Sequence, residues 1–170
     1  MIDPVVPELD ILIGTSLWVW HRGARPVRVS VSSGSQSPKW EDEGRLRKVF
    51  EEAGIPTDYS SSSDGADLVA ESTTEVWTIE CKGAGTGVGS TQRNNFDRAL
   101  ASAVSYYEDP TDSRQVMLGL AIPSTRAYLR ELHRRVRRPL RTRLGLWILL
   151  YDSTKRIVIP VEPSADYPPY

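Results

Sequence analysis

Residues 64–82 read DGADLVAESTTEVWTIECK, and this stretch decides the fold class. Two runs within it, residues 66–71 and 75–82, have the composition of β-strands. The Ser and Thr residues between them are typical of a turn. The stretch therefore predicts a β-hairpin, and the elements predicted on either side of it imply a mixed sheet flanked by helices.

Charged side chains of the predicted hairpin converge on one place. Because side chains alternate along a strand, Glu80 and Lys82 share one face and Cys81 turns to the other. With the turn centred between residues 73 and 74, Asp67 lies opposite Glu80, with about 5 Å between their Cβ atoms. Two facing carboxylates repel one another, and a divalent cation would relieve that repulsion.

The ligand chemistry of this pair favours Mg²⁺, which takes one or two protein carboxylates and completes its shell with water and phosphate oxygens. A neighbouring ammonium group would offset the charge that develops on a phosphoryl transition state. The pattern thus favours phosphodiester hydrolysis. The structural alternative is an exposed Glu80–Lys82 ion pair, which would contribute less than about 1 kcal/mol.

The residues from 41 to 152 resemble the PD-(D/E)xK nuclease superfamily, which has the restriction-endonuclease-like fold. The segments DGADLVA at 64–70 and WTIECK at 77–82 are most similar to Mrr-type restriction endonucleases. The sequence departs from that pattern in lacking a Pro before Asp67 and in having Glu80 where many members have Gln. The resemblance implies an α/β fold, with a restriction-endonuclease-like mixed β-sheet flanked by helices and an N-terminal extension.

The same resemblance implies roles for individual residues. Asp67, Glu80 and the backbone carbonyl of Cys81 would bind Mg²⁺, with Mn²⁺ as a substitute, and Lys82 would position or activate the attacking water. Glu43 and Gln92 stand where related nucleases carry a helix glutamate and a helix glutamine near the site. The alternatives are an ordinary first-turn acid for Glu43, favoured by the helix dipole, and a solvated residue at a helix start for Gln92.

The remaining elements are predicted from periodicity and from stop signals. Residues 11–20 fit either a buried strand or a short helix, and a third helix is N-capped by Ser124 and stopped or kinked by Pro139. The other predictions are a strand at 27–31, helices at 41–53 and 91–107, and strands at 116–122, 146–151 and 157–161. The predicted division is an N-terminal extension of uncertain role at 1–40, a nuclease-like domain at 41–162 and a flexible tail at 163–170.

Positive charge is concentrated between residues 126 and 143, where eight arginines and one acid occur in a chain of net charge −1. Part of this charge follows a helical stripe that would suit phosphate contacts: Arg126, Arg130, Arg134, Arg137 and Arg141. A solvated helix face is the alternative. The predicted partner is DNA, bound through this local surface, and RNA is not excluded.

Composition excludes several other classes. One cysteine and two histidines leave no disulfide framework and no zinc ribbon. The most apolar run, residues 11–20, is shorter than a membrane span and lacks a positive upstream flank, so a cytoplasmic protein without a membrane anchor is expected.

The glycine-rich segment 83–91 lacks the Lys that a phosphate-binding loop places before Ser or Thr, so no nucleotide cofactor is expected. Its glycines would permit close approach of a nucleic-acid backbone, or would simply form a mobile connection.

Two further residue types are expected to be structural. Cys81 is predicted to be a buried packing thiol and not a nucleophile. The tryptophans at positions 18, 20 and 40 could stack on bases, but a place in the core or at an interface is the favoured interpretation.

These observations together predict a Mg²⁺-dependent DNA endonuclease, and the resemblance implies products with a 5′-phosphate and a 3′-hydroxyl. One alternative is a Holliday-junction or repair nuclease, which would act as a homodimer because two strands must be cut. The other is a DNA-binding module that keeps the fold without cleavage.

Overall fold

A computed structural model of the chain describes residues 4–32, 37–62, 65–85, 89–107 and 112–169. It is a mixed α/β fold in which a six-stranded sheet is flanked by helices. The elements in chain order are α1 Glu8–His21, β1 Arg25–Val29, α2 Lys39–Glu52, β2 Leu68–Glu71, β3 Glu75–Cys81, α3 Gly89–Ser105, β4 Gln115–Pro123, α4 Arg126–Arg135, α5 Arg138–Leu144, β5 Leu146–Asp152 and β6 Ile157–Val161.

The six strands lie in the sheet in the order in which they occur in the chain. β1, β2 and β3 are antiparallel neighbours, β3, β4 and β5 are parallel, and β6 returns antiparallel to β5. The predicted hairpin is therefore confirmed, as are the strands that follow it. Because β3, β4 and β5 are parallel, their carboxyl ends meet at the same edge of the sheet, together with the start of β2.

The apolar segment at residues 11–20, which fitted either a strand or a helix, belongs to α1. This helix is apolar on most of its surface because it lies in the core, with Ile11 and Leu12 buried. Its contact with β5 is close: a Cβ added at Gly14 would lie 2.6 Å from the ring of Tyr151. Residues 4–32 thus supply both a core helix and, through β1, an edge strand of the sheet.

The region after β4 differs from the prediction in two respects. The N-cap residue of α4 is Thr125 and not Ser124, whose N–H instead donates to the Tyr151 carbonyl at 2.9 Å. The predicted third helix is interrupted at Val136, and Pro139 lies in the first turn of α5 instead of ending α4. Proline is well tolerated there because the first N–H groups of a helix have no intrahelical acceptor.

The C-terminal segment, predicted as a flexible tail, packs against α4 and α5 through residue 168. The Tyr167 hydroxyl donates to the Val136 carbonyl at 2.7 Å, and the Thr142 hydroxyl donates to the Pro163 carbonyl at 3.1 Å. These contacts tie the segment to the interruption between the two helices. No helix in the described part of the chain is long and apolar enough to span a bilayer.

Candidate functional site

The register of the hairpin brings Asp67 and Glu80 together. Leu68 pairs with Ile79 and Val69 pairs with Thr78, as predicted from the position of the turn. Asp67 immediately precedes β2, and its Oδ2 accepts the backbone N–H of Cys81 at 2.8 Å, which holds the carboxylate beside the end of β3. Glu80 is the neighbour of Cys81 on that strand, so the two acids lie at the same edge of the sheet.

The surroundings of Asp67 and Glu80 disfavour the ionised form of both carboxyl groups. Burial, followed by the nearby Glu80 and then Glu8 carboxylates, raises the pKa of Asp67 to about 7, although the Cys81 hydrogen bond acts in the opposite sense. Burial also raises the pKa of Glu80, against a lowering by hydrogen bonding from Tyr106. Neither acid forms an ion pair with any described residue. The only cation that lowers the pKa of both acids, Lys82, acts at a distance and forms an ion pair with neither of them among the described residues.

Lys82 lies next to these acids, and a carboxylate that the sequence did not predict holds its side chain. The Lys82 Nζ contacts Glu8 Oε2 at 2.7 Å, and the two side chains are 30% and 20% exposed. The ammonium group is thus fixed in place and still reaches solvent. Glu8 is the first residue of α1, and its Oε2 also lies 3.5 Å from the backbone nitrogen of Gly83, which donates to it.

A short backbone pairing places Glu8 at the site. The N–H of Val6 donates to the carbonyl of Ala84 at 2.8 Å, and the N–H of Ala84 donates back to Val6 at 2.9 Å. Gly83 permits this close approach, because a Cβ there would lie 2.7 Å from both the Glu8 nitrogen and the Val6 oxygen. A first-turn acid in α1 was visible in the sequence, but nothing local in the sequence indicated that it would meet Lys82.

Glu43 is not among the residues that line the cavity beside Asp67, so the described structure does not support the role suggested for it. Its side chain is 45% exposed and lies 3.7 Å from Lys39, one helical turn earlier. The member of α2 that does line the cavity beside Asp67 is the preceding residue, Asp42, which is buried. Glu43 behaves as the ordinary surface acid that was its alternative, because the adjacent position on the helix faces inward.

Gln92 lies in a cleft between α3 and α4 that Tyr128 and Arg130 also line. The Tyr128 hydroxyl donates to the Gly83 carbonyl at 2.9 Å, which connects α4 to the segment directly after Lys82. Tyr106, at the end of α3, donates to the Gly65 carbonyl at 3.0 Å and lies beside Glu80. Tyr106 is a second site residue that sequence reasoning missed.

Cys81 is buried and lines the same cavity as Asp67 and Glu8. Burial raises the pKa of this thiol well above its usual value, so a thiolate is disfavoured and the residue serves packing. Residues 63–64 and 86–88 of the two motif segments lie outside the described part of the structure.

The predicted arginine stripe is divided by the interruption between α4 and α5. Arg126, Arg130, Arg134 and Arg137 are exposed. Arg141 is fully buried: its guanidinium donates to the carbonyls of Glu162 and Ala165 and lies 4.1 Å from the centre of the Tyr167 ring. Its predicted role in nucleic-acid binding is therefore wrong, because the turn between the helices rotates position 141 inward.

The tryptophans do not form a common stacking surface. Trp18 makes an edge contact with the buried Trp77, with ring centres 5.1 Å apart, and Trp20 also packs against the core. Trp40 is 74% exposed at the start of α2, so it is not in the core, and its place at an interface stays a prediction.

The described residues contain no cluster of three or more His, Cys, Asp or Glu side chains suited to a metal ion. The site instead offers the two carboxylates of Asp67 and Glu80 and the backbone at Cys81. This donor set fits Mg²⁺, which needs only one or two protein carboxylates, because the two half-buried acids form no ion pair with any described residue and their ionised forms are disfavoured. Comparison of the chain with protein-family models, curated proteins and solved structures gives no match.

Proposed function

We propose that this protein is a Mg²⁺-dependent endonuclease that hydrolyses DNA phosphodiester bonds. The observation that carries the proposal is the pair of half-buried acids, Asp67 and Glu80, which face one another near Lys82 and form no ion pair with any described residue. Such a pair costs free energy in a purely structural hairpin, since like charges opposite one another on neighbouring strands destabilise it.

Asp67, Glu80 and the carbonyl of Cys81 would hold the metal. When bound, Mg²⁺ would polarise a phosphate oxygen and lower the pKa of a bound water. Its charge would also offset the burial and the neighbouring carboxylates that raise the pKa of both acids.

The residues of the chain supply positioning and charge. Glu8 holds the Lys82 ammonium through the 2.7 Å contact, so the positive charge is fixed beside the acids before substrate arrives. An ammonium group that is already oriented can offset negative charge developing on the phosphoryl group without reorganisation. Tyr106 lies beside Glu80, and when its single hydroxyl proton turns from the Gly65 carbonyl to that carboxylate, the hydrogen bond lowers the pKa of Glu80 and favours the ionised form that a metal ligand requires.

The proposed function includes a proposed fold family for the six-stranded mixed sheet. We infer a restriction-endonuclease-like fold from a mixed sheet in which the acid before β2 meets the Glu-Cys-Lys end of β3. The exposed arginines of α4, including Arg126 and Arg130, would contact DNA phosphates, because that helix is attached to the segment after Lys82 through Tyr128.

A plasmid-nicking assay with Mg²⁺ or Mn²⁺ tests the proposal. Asp67→Ala and Lys82→Ala should each lower the rate by at least about a hundredfold. Glu43→Ala is the matched control, because it removes an exposed acid that contacts Lys39 and should leave the rate unchanged. Equal activity in the wild type and both site variants would refute the assignment.

The same assay separates the alternatives. Salt-dependent DNA binding with no cleavage under any metal would favour the non-cleaving DNA-binding module, for which the exposed arginines of α4 are the supporting observation. Preferred cleavage of a four-way junction over a linear duplex, by a dimer, would favour the junction or repair nuclease.

A further inference from the structure

A bulge in β1 turns an arginine toward the side of the sheet that carries the candidate site. The start of β1 pairs in regular register with the end of β2, but Val27 is then skipped and Arg28 pairs with Val69. Without the bulge, Arg28 would pair with Leu68, whose side chain is fully buried in the core. Because the extra residue re-aims the side chains that follow it, Arg28 projects from the face opposite to Leu68.

Asp67 and Glu80 project from the same face as Arg28. Side chains alternate along a strand, and paired residues on neighbouring strands share a face. Val69 pairs with Arg28 on one side and with Thr78 on the other. Asp67 lies two residues before Val69. Glu80 lies two residues after Thr78. The arginine and both acids are therefore on one side of the sheet.

The guanidinium group of Arg28 lies beside Gly65, two residues before Asp67. A Cβ added at Gly65 would lie 3.2 Å from a terminal nitrogen of Arg28 and 3.5 Å from its guanidinium carbon. The Gly65 carbonyl accepts the Tyr106 hydroxyl at 3.0 Å, which ties this segment to the end of α3. Since two residues span at most about 7 Å, the guanidinium carbon lies within about 12 Å of the Asp67 Cα.

Arg28 has no partner among the residues that the structure describes. Its side chain is half-buried, yet it forms no ion pair and no side-chain hydrogen bond with them. The Nε atom is enclosed by protein, whereas the two terminal nitrogens are not and can donate to a molecule arriving from solvent. Removing a charge from water without giving it a partner costs free energy, which a bound anion would recover.

We propose that Arg28 binds a backbone phosphate of the nucleic-acid strand that is cut at Asp67 and Glu80. The proposal rests on the proposed function and adds a substrate contact to it. A guanidinium group suits this role because two of its N–H groups can donate to two oxygens of one phosphate. Arg28 stands apart from both acids, with which it forms no ion pair, so the phosphate that it binds neighbours the one that is cut.

Fluorescence anisotropy of a short labelled DNA duplex tests this contact, with Ca²⁺ in place of Mg²⁺ to prevent cleavage. Arg28→Gln should weaken binding about tenfold and lower the magnitude of the salt slope by about one. Arg28→Lys keeps the charge but loses the planar fork, so it should keep the salt slope and weaken binding less. Arg25→Gln is the matched control: it removes the same charge from the same strand, but Arg25 is already paired with Asp58, so binding should stay at the wild-type value.

Cleavage of oligonucleotides that carry one methylphosphonate locates the bound phosphate. Because a methylphosphonate removes the charge of a single phosphate, the wild type should cut a bond at one fixed offset from it about fivefold more slowly. Arg28→Gln should lose this suppression, since the charge that sensed the phosphate is gone, whereas Arg25→Gln should retain it.

Wild-type affinity and salt slope in Arg28→Gln would overturn the proposal. An equal loss of affinity in Arg25→Gln would also overturn it, because net charge alone would then explain the effect. If Arg28→Gln lowers Tm, Arg28→Met, which keeps the apolar part of the side chain, replaces it in both assays. Weaker DNA binding in Arg28→Gln, in a protein that no metal makes cleave DNA, would support the phosphate contact and refute the proposed nuclease.

Discussion

Replacing Asp67 with asparagine should stabilise the metal-free protein while abolishing cleavage. The carboxyl group of Asp67 is half-buried and faces Glu80, and its pKa is raised from 3.8 to about 7. Each pKa unit corresponds to about 1.4 kcal/mol, so ionising this group in the folded protein costs about 4 kcal/mol at high pH. Asparagine keeps an oxygen that accepts the Cys81 N–H and removes the charge. We expect a gain in the free energy of unfolding of about 2–4 kcal/mol at pH 8, which corresponds to about 5–15 °C in Tm.

The gain should depend on pH in a defined direction. Below the unfolded pKa of 3.8, Asp67 is protonated in both the folded and unfolded states, and asparagine offers no advantage. Between pH 4 and 7 the folded protein holds the proton that the unfolded chain releases, so the stability of the wild type falls as pH rises, relative to the variant. Above about pH 7 the group is ionised in both states and the difference reaches its plateau.

Urea unfolding in EDTA at several pH values measures this difference directly. Glu43→Gln is the matched control, because that acid is exposed beside Lys39 and its removal should change stability by less than about 0.5 kcal/mol at every pH. A variant Asp67→Asn that is less stable than the wild type at pH 8, or whose advantage does not shrink toward pH 4, would refute the account of the site as an electrostatically strained pair.

Three other changes test separate parts of the structure. Gly83→Val should lower the nicking rate by at least about tenfold with little loss of helical circular dichroism, because a Cβ at Gly83 displaces Glu8 from Lys82. The control is Gly85→Ala, which should be neutral because a Cβ at that position meets nothing within 4 Å. Arg141→Ala should lower the free energy of unfolding by about 2–4 kcal/mol in urea denaturation, since it removes buried hydrogen bonds and a ring contact. The control, Arg143→Ala, should change the free energy of unfolding by less than about 0.5 kcal/mol. Mg²⁺ at a hundred times its dissociation constant should stabilise the wild type by about 2.7 kcal/mol and leave Asp67→Ala unchanged; equal thermal shifts in both would contradict metal binding at this residue.

The hairpin was predictable because its determinants are local. A polar turn fixes the register of two strands only a few residues apart, and side-chain alternation then fixes which face each residue takes. The position of Asp67 opposite the Glu80–Lys82 strand end follows from these two rules alone. The separate strands β4, β5 and β6 were predictable for a similar reason, since each is a short apolar run between strong turn signals.

The rest of the site depended on contacts that local patterns do not contain. Glu8 meets Lys82 from 74 residues away, and only the pairing of Val6 with Ala84 brings it there. The family resemblance suggested Glu43 as the helix acid, but a one-residue difference in helix register separates Glu43, which contacts Lys39, from the buried Asp42. Periodicity identifies a helix, but packing decides which of its faces reaches the sheet.

The arginine stripe failed for a related physical reason, and that failure changes where substrate is expected to bind. Spacing by three and four residues places side chains on one face only while a helix is continuous, and here it is interrupted at Val136. The interruption turns Arg141 into the core, where it binds the C-terminal segment, and leaves the exposed cations of α4 at positions 126, 130 and 134. Of these, Arg126 begins the helix at the sheet edge that also carries Asp67, Glu80 and Lys82. A nucleic-acid strand that reaches the acids would therefore meet the start of α4 before the more distant arginines, so substitutions along this surface should weaken binding most at Arg126.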